Sequence, residues 1–131
     1  MSIREFRGET PIAEHIRVVL LPAGDLAPGE MVRVVVAEHA PFAVYNIAGT
    51  FHVTADTCTH SLASLTEGDL EGTRVVCPVH WAEFDVPTGR ALCFPATEPV
   101  ATYPVAVEDG VVVAYVPPRD GEWTSGNGGT S

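Results

Sequence analysis

The sequence has no run of five or more basic residues, and its net charge is −10. A surface of that sign repels a phosphate backbone and an anionic membrane, so nucleic-acid and lipid binding are poor readings. No stretch approaches the run of about 18 apolar residues that a membrane span needs. The first residues, Met1 to Pro11, carry Arg4, Glu5, Arg7 and Glu9 and no apolar h-region. That argues against a secretory signal and for a cytoplasmic protein. Helix signals are few; Ala63–Leu65 carries one turn at most. No period of about 20–50 residues recurs, so no repeat architecture is expected. Cysteine is scarce and odd in number, three in all. A disulfide scaffold is therefore not expected, whereas metal ligation or a buried thiol is. No Ser-His-Asp or paired-carboxylate arrangement can be argued from spacing, so no catalytic residue is assigned.

What is present is enough for one core. Of 131 residues, 46% are hydrophobic and 18% charged, which suits a single domain. Eleven Pro and twelve Gly, with many Val, point to short strands and turns. Strands are expected at Ile16–Leu21, Met31–Ala37, Phe42–Ile47, Phe51–Ala55, Arg74–Cys77, Ala101–Val107 and Val111–Val116. Ala48-Gly49 suits a tight hairpin, and Asp109-Gly110 between Val107 and Val111 is the strongest hairpin signal in the chain. These features predict an all-β domain over 1–116, an antiparallel sandwich or partly open barrel. The polar, Gly-rich stretch 117–131 reads as a disordered tail, with Trp123 able to dock back onto the body. The acidity serves solubility or steers the protein toward a basic patch on a partner.

The chemistry concentrates in Cys58-Thr59-His60 and, sixteen residues later, Cys77-Pro78-Val79-His80. Each half offers one thiolate and one imidazole, follows a strand-like run and continues into a turn. Two such loops facing each other place two sulfurs and two ring nitrogens around a small inorganic core. Structural zinc also takes two Cys and two His, but its usual spacing pairs like with like, and here each pair is mixed. The bland alternative, core cysteines with incidental histidines, is at odds with the same order of ligands occurring twice. The third reading is a [2Fe–2S] centre in which two His replace two Cys on one iron.

The pattern C-x-H, sixteen residues, C-x-x-H resembles the Rieske family, and the resemblance runs from about Ile16 to Val116. The stretch Glu83–Val112 looks particularly like Rieske-type ferredoxins of bacterial aromatic-ring-hydroxylating dioxygenases. The resemblance implies Cys58 and Cys77 on one iron and His60 and His80 on the other. It also implies a β base carrying a small inserted cluster-binding lobe, about 58–83, with a Pro-containing loop at 91–97. Two ferric ions, two sulfides and two thiolates sum to a formal charge of about zero, against about −2 with four thiolates, so His ligation raises the potential. By the same resemblance the added electron sits on the His-bound iron, on the side that faces solvent.

Departures from other branches narrow the expectation. Respiratory Rieske proteins carry a further disulfide-bonded Cys in each loop; the matching residues here are Ala63 and Val79. They also place a Ser and a Tyr hydroxyl near the cluster, where this chain has Ala82 and Phe84. Hydrogen bonds to sulfur stabilise the reduced state, so their absence predicts a potential near the low end of the Rieske range, about −150 mV. Many ferredoxins of this type have Gly where this chain has Ala82, and Trp81 is unusual beside a ligand; a Cβ at 82 is expected to restrict that loop's backbone. Cys93, in a loop-like Leu92–Pro95 segment, reads as a buried packing thiol. His15, His39 and His52 read as surface residues. Leu62, Val79, Trp81, Phe94 and Pro95 form an apolar set beside the ligands, suited to docking.

The function implied is a one-electron carrier without bond chemistry or a small-molecule substrate of its own. It would pass electrons from a flavin-containing reductase to a terminal oxygenase. The alternatives are a small Rieske-like subunit of a nitrite reductase-type enzyme and a zinc-binding structural module.

Overall fold

The computed structural model describes residues 15–59, 61–79, 81–93 and 98–117. Eleven strands run through these residues. They are β1 (Ile16–Pro22), β2 (Met31–Val34), β3 (Phe42–Ile47), β4 (Thr50–Ala55), β5 (Asp69–Glu71), β6 (Arg74–Val76), β7 (Glu83–Asp85), β8 (Ala91–Cys93), β9 (Thr102–Tyr103), β10 (Val105–Glu108) and β11 (Val111–Val116). They form three sheets, ordered β1-β11-β10, β2-β3-β4-β9 and β5-β6-β7-β8. The only helical pieces among the described residues are single 3-10 turns at Ala23–Asp25 and Leu65–Glu67. This is the expected all-β architecture, with the one helical turn near the first cysteine falling slightly later than the sequence suggests.

Turn chemistry fixes the registers. Asp109 and Gly110 both have positive φ, 53° and 80°, the pair of left-handed residues a two-residue hairpin needs. Glu108 consequently faces Val111 and Val105 faces Ala114. Ala48-Gly49 joins β3 and β4 in the same way, so Ile47 faces Thr50. Asn46 pins that turn: its side chain accepts from the Gly49 amide at 2.8 Å and donates to the Leu26 carbonyl at 2.8 Å. Pro104 lacks an amide hydrogen and separates β9 from β10 where the Val-rich run 101–107 predicts one strand.

β3 is buried on both faces, from Phe42 to Asn46. That follows from its central place between β2 and β4 and its near-continuous apolar sequence. The core cluster contains Ala43 and Tyr45 of β3, Val75 of β6 and Phe84 of β7, with Leu65, Ala82, Val86 and Val100. Cys58 and Cys77 belong to the same cluster. The described residues divide into two compact units, 19–114 and a smaller one of 15–18 with 115–117. The expected tail beyond Pro117, Trp123 included, lies outside the described residues.

Candidate metal centre

Two loops carry the cysteines, and they close alike. In the loop after β4 the Cys58 amide donates to the Ala63 carbonyl at 2.8 Å. In the loop after β6 the Cys77 amide donates to the Ala82 carbonyl at 2.7 Å. The fourth residue after each cysteine is left-handed: Leu62 at φ 65° and Trp81 at φ 62°. The restriction expected at Ala82 therefore falls one residue earlier, on Trp81. The Cys-to-His spacing differs by one residue between the halves, but the two backbone loops have the same length.

Each loop is anchored from below. Asp56, 2% exposed, accepts from the Thr66 amide at 3.0 Å, the Ser64 hydroxyl at 2.5 Å and Arg33 Nε on β2 at 3.3 Å. These bonds tie both ends of the first loop to one carboxylate. Thr59 Oγ1 adds a bond to the Glu98 carbonyl at 2.9 Å. Gly68 closes the turn that follows: a Cβ there would stand 1.8 Å from the Val76 carbonyl oxygen, just before Cys77. Only a glycine lets that turn lie directly on β6.

The sulfurs sit in a dry, largely apolar setting. Cys58 and Cys77 are both buried and unpaired by any disulfide. The Cys77 sulfur lies 3.5 Å from the Val79 amide and 3.6 Å from the Ser61 hydroxyl. Burial pushes the Cys77 thiol up from its ordinary pKa, and the adjacent Cys58 thiol pushes the same way. The Val79 amide and the Ser61 hydroxyl pull it back down. Two neighbouring thiolates in such a site need a compensating positive charge, which a metal core supplies. The donor set thus fits a thiolate-held iron–sulfur group.

His60 and His80 lie outside the described residues, as do Phe94 and Pro95 and the rest of the Pro loop beyond Cys93. Among the described residues no three His, Cys, Asp or Glu side chains gather to hold a metal. Cys93 is a correction: it is exposed on β8, with its thiol 3.8 Å from the Trp81 carbonyl, rather than buried in a loop. A three-residue strand facing β7 at a bulge leaves that side chain outside the core. Leu62 is 84% exposed, Trp81 66% and Val79 37%, so the apolar set faces outward where it is described. His15, His39 and His52 are half-buried rather than fully on the surface. His39 stacks on Phe42 with ring centroids 4.3 Å apart. The sequence gives no sign of the Ser61–Cys77 approach, because the two residues are sixteen positions apart and meet only when the loops face each other.

A sequence profile described as the Rieske [2Fe-2S] domain matches residues 16–104. The chain is 42% identical over 103 residues to the 3-phenylpropionate/cinnamic acid dioxygenase ferredoxin subunit of Escherichia coli (strain K12), covering 77% of this chain and 94% of that protein. Among solved structures it is similar to Sphingomonas yanoikuyae B1 ferredoxin, with a TM-score of 0.74 and 40% identity over 78% of this chain and 100% of that one. It is also similar to a chain in the complex of reduced oxygenase and oxidized ferredoxin in carbazole 1,9a-dioxygenase, with a TM-score of 0.75 and 37% identity over 81% of this chain and 99% of that one.

Proposed function

The chain belongs to the Rieske [2Fe–2S] domain family, and on that premise we propose that it is the ferredoxin component of an aromatic-ring dioxygenase system, in which Cys58 and Cys77 hold one iron and His60 and His80 the other. The observation that carries this reading is the pair of buried, disulfide-free cysteines on two loops closed by the same backbone bonds. When bound, the single cluster supplies a site that takes up and returns one electron. The protein's residues do the rest. Leu65, Val75, Ala82 and Phe84 exclude water around the sulfurs. The Val79 amide supports the charge on Cys77. Asp56 and Gly68 hold the two loops at their bases.

The cluster-binding lobe is taken as 58–83, with a Pro-containing segment at 91–97 whose first three residues form β8. A low potential, near the bottom of the Rieske range, is supported by Ala82 and Phe84, which bring no hydroxyl into the buried cluster of residues around the cysteines. The partners are a flavin-containing reductase and a terminal oxygenase. Leu62, Val79 and Trp81 form the docking tip: exposed apolar groups beside a redox centre are natural anchors for a partner. No helix among the described residues is long and apolar enough to cross a membrane, which is consistent with a cytoplasmic place of work. No observation favours the nitrite reductase-type or zinc-module readings.

The test is direct. Purified protein should be coloured, contain iron and acid-labile sulfide in equal amounts, and reduce a ring-hydroxylating oxygenase when supplied with reductase. Zinc in place of iron, or a coloured protein that passes electrons to no such oxygenase, would refute the reading.

A further inference from the structure

We propose that the Ser61 hydroxyl, reaching across from the opposite loop, is a hydrogen-bond donor to the Cys77 sulfur and raises the potential of the cluster that this cysteine holds. The inference rests on the ligand set proposed above. Ser61 Oγ lies 3.6 Å from Cys77 Sγ. Its proton has a defined place to go. The Ala63 amide approaches the same oxygen at 3.4 Å, and an amide hydrogen can only donate, so it takes one of the hydroxyl's lone pairs. The hydroxyl hydrogen is left to point elsewhere, and the sulfur is the acceptor in reach. As an iron ligand Cys77 is a thiolate, with no proton of its own to give, so the direction of this bond is fixed.

Among the described residues, donors from both loops reach Cys77. Cys77 Sγ receives the Val79 amide from its own loop and the Ser61 hydroxyl from the other. No bond of either kind to Cys58 Sγ is found among the described residues. Donors to a sulfur ligand stabilise the cluster more when it carries the extra electron, because the acceptor is then more negative. Ser61 thus partly offsets the missing hydroxyls at 82 and 84. The matching position of the second loop, three residues after its cysteine, is His80, which has no hydroxyl to offer.

Ser61 is on this reading a positioning and tuning residue, and its test is the potential rather than electron delivery. Ser61→Ala in the cluster-loaded protein should lower the midpoint. At a fixed electrode potential the ratio of reduced to oxidised cluster should fall by up to about tenfold, equivalent to about 59 mV for one electron. Because Ser61 also shapes its turn, the isosteric pair Ser61→Thr and Ser61→Val separates the two roles. Thr keeps the hydroxyl and should stay near the wild-type midpoint, while Val should follow Ala. Equal midpoints for Thr and Val with the cluster intact, or failure of all three variants to hold a cluster, would overturn the inference. If instead the wild-type protein lacks iron and sulfide, the ligand assignment itself has failed.

Discussion

Trp81 stands in its loop where Leu62 stands in the other: each follows a cysteine by four residues, each is left-handed, and each exposes a large apolar side chain. A non-glycine residue in this region costs roughly 1–2 kcal/mol. Two such residues at matching places on the tip point to a requirement for the side chains themselves. Trp81→Gly should leave thermal stability unchanged or slightly raised, since glycine relieves the backbone. It should nevertheless slow electron transfer to the oxygenase several-fold in stopped-flow assays, as should Trp81→Ala, with little change in midpoint potential. An unaffected rate in a folded, coloured Trp81→Ala protein would remove the tryptophan from the docking surface.

The potential should respond to added hydroxyls. Ala82 and Phe84 are both fully buried in the cluster of residues that includes Cys58 and Cys77. A hydrogen bond to a charged acceptor contributes roughly 1.5–3 kcal/mol, and about 1.4 kcal/mol corresponds to about 59 mV for one electron. Only the difference between redox states counts, so Phe84→Tyr and Ala82→Ser should each raise the midpoint by at most roughly 60–130 mV. Protein-film voltammetry at neutral pH checks this. If both variants keep the cluster and neither midpoint rises, residues 82 and 84 do not set the potential.

The first loop should depend on Asp56. Asp56→Ala leaves the Thr66 amide, the Ser64 hydroxyl and Arg33 without their shared acceptor. The cost should be about 3 kcal/mol in chemical denaturation, with faster bleaching of the cluster. Arg33, 51% exposed, contributes less, so Arg33→Gln should cost at most about 1 kcal/mol. Equal effects of the two changes would contradict the anchoring role assigned to the carboxylate.

Acid should weaken the fold partly through His52. Burial lowers its pKa, and the charge of Asp85 only partly restores it. The unfolded chain therefore takes up a proton at a higher pH than the folded protein. This histidine's contribution should be constant above about pH 6.5 and become unfavourable as pH falls below it, until the folded form also protonates. His52→Gln should flatten the fall in unfolding midpoint between pH 7 and 5.5. A parallel fall in both proteins would exclude His52 as a source.

The elements that carry a period or a turn signal are legible from the chain. β3 and β11 lie where their apolar runs predict, and Asp109-Gly110 makes its hairpin. Of the four three-residue strands of the β5-β6-β7-β8 sheet, only β6 is legible, because it lies in the Val-containing run 74–77; β5, β7 and β8 have no such run and are too short to display alternation. That is also why Cys93, on the last of them, is misplaced by sequence reasoning. The candidate site stands out in the sequence as a repeated Cys/His motif, whereas the geometry of its loops does not. Nothing local marks Trp81 rather than Ala82 as the left-handed residue, and nothing marks Ser61 as the neighbour of a cysteine in the other loop.

Mixed ligation is tested most directly by pulsed EPR of the reduced protein grown with 15N-labelled histidine. Coupling of the unpaired electron to nitrogen from two histidines is expected, reduced to one or lost with the cluster in His60→Ala and in His80→Ala. Cys58→Ser and Cys77→Ser should give colourless or unstable protein, whereas Cys93→Ser should match the wild type. A reduced cluster with no histidine coupling, or one whose spectrum is unchanged in His60→Ala while Cys93→Ser loses its iron, would contradict the assignment of Cys58, His60, Cys77 and His80.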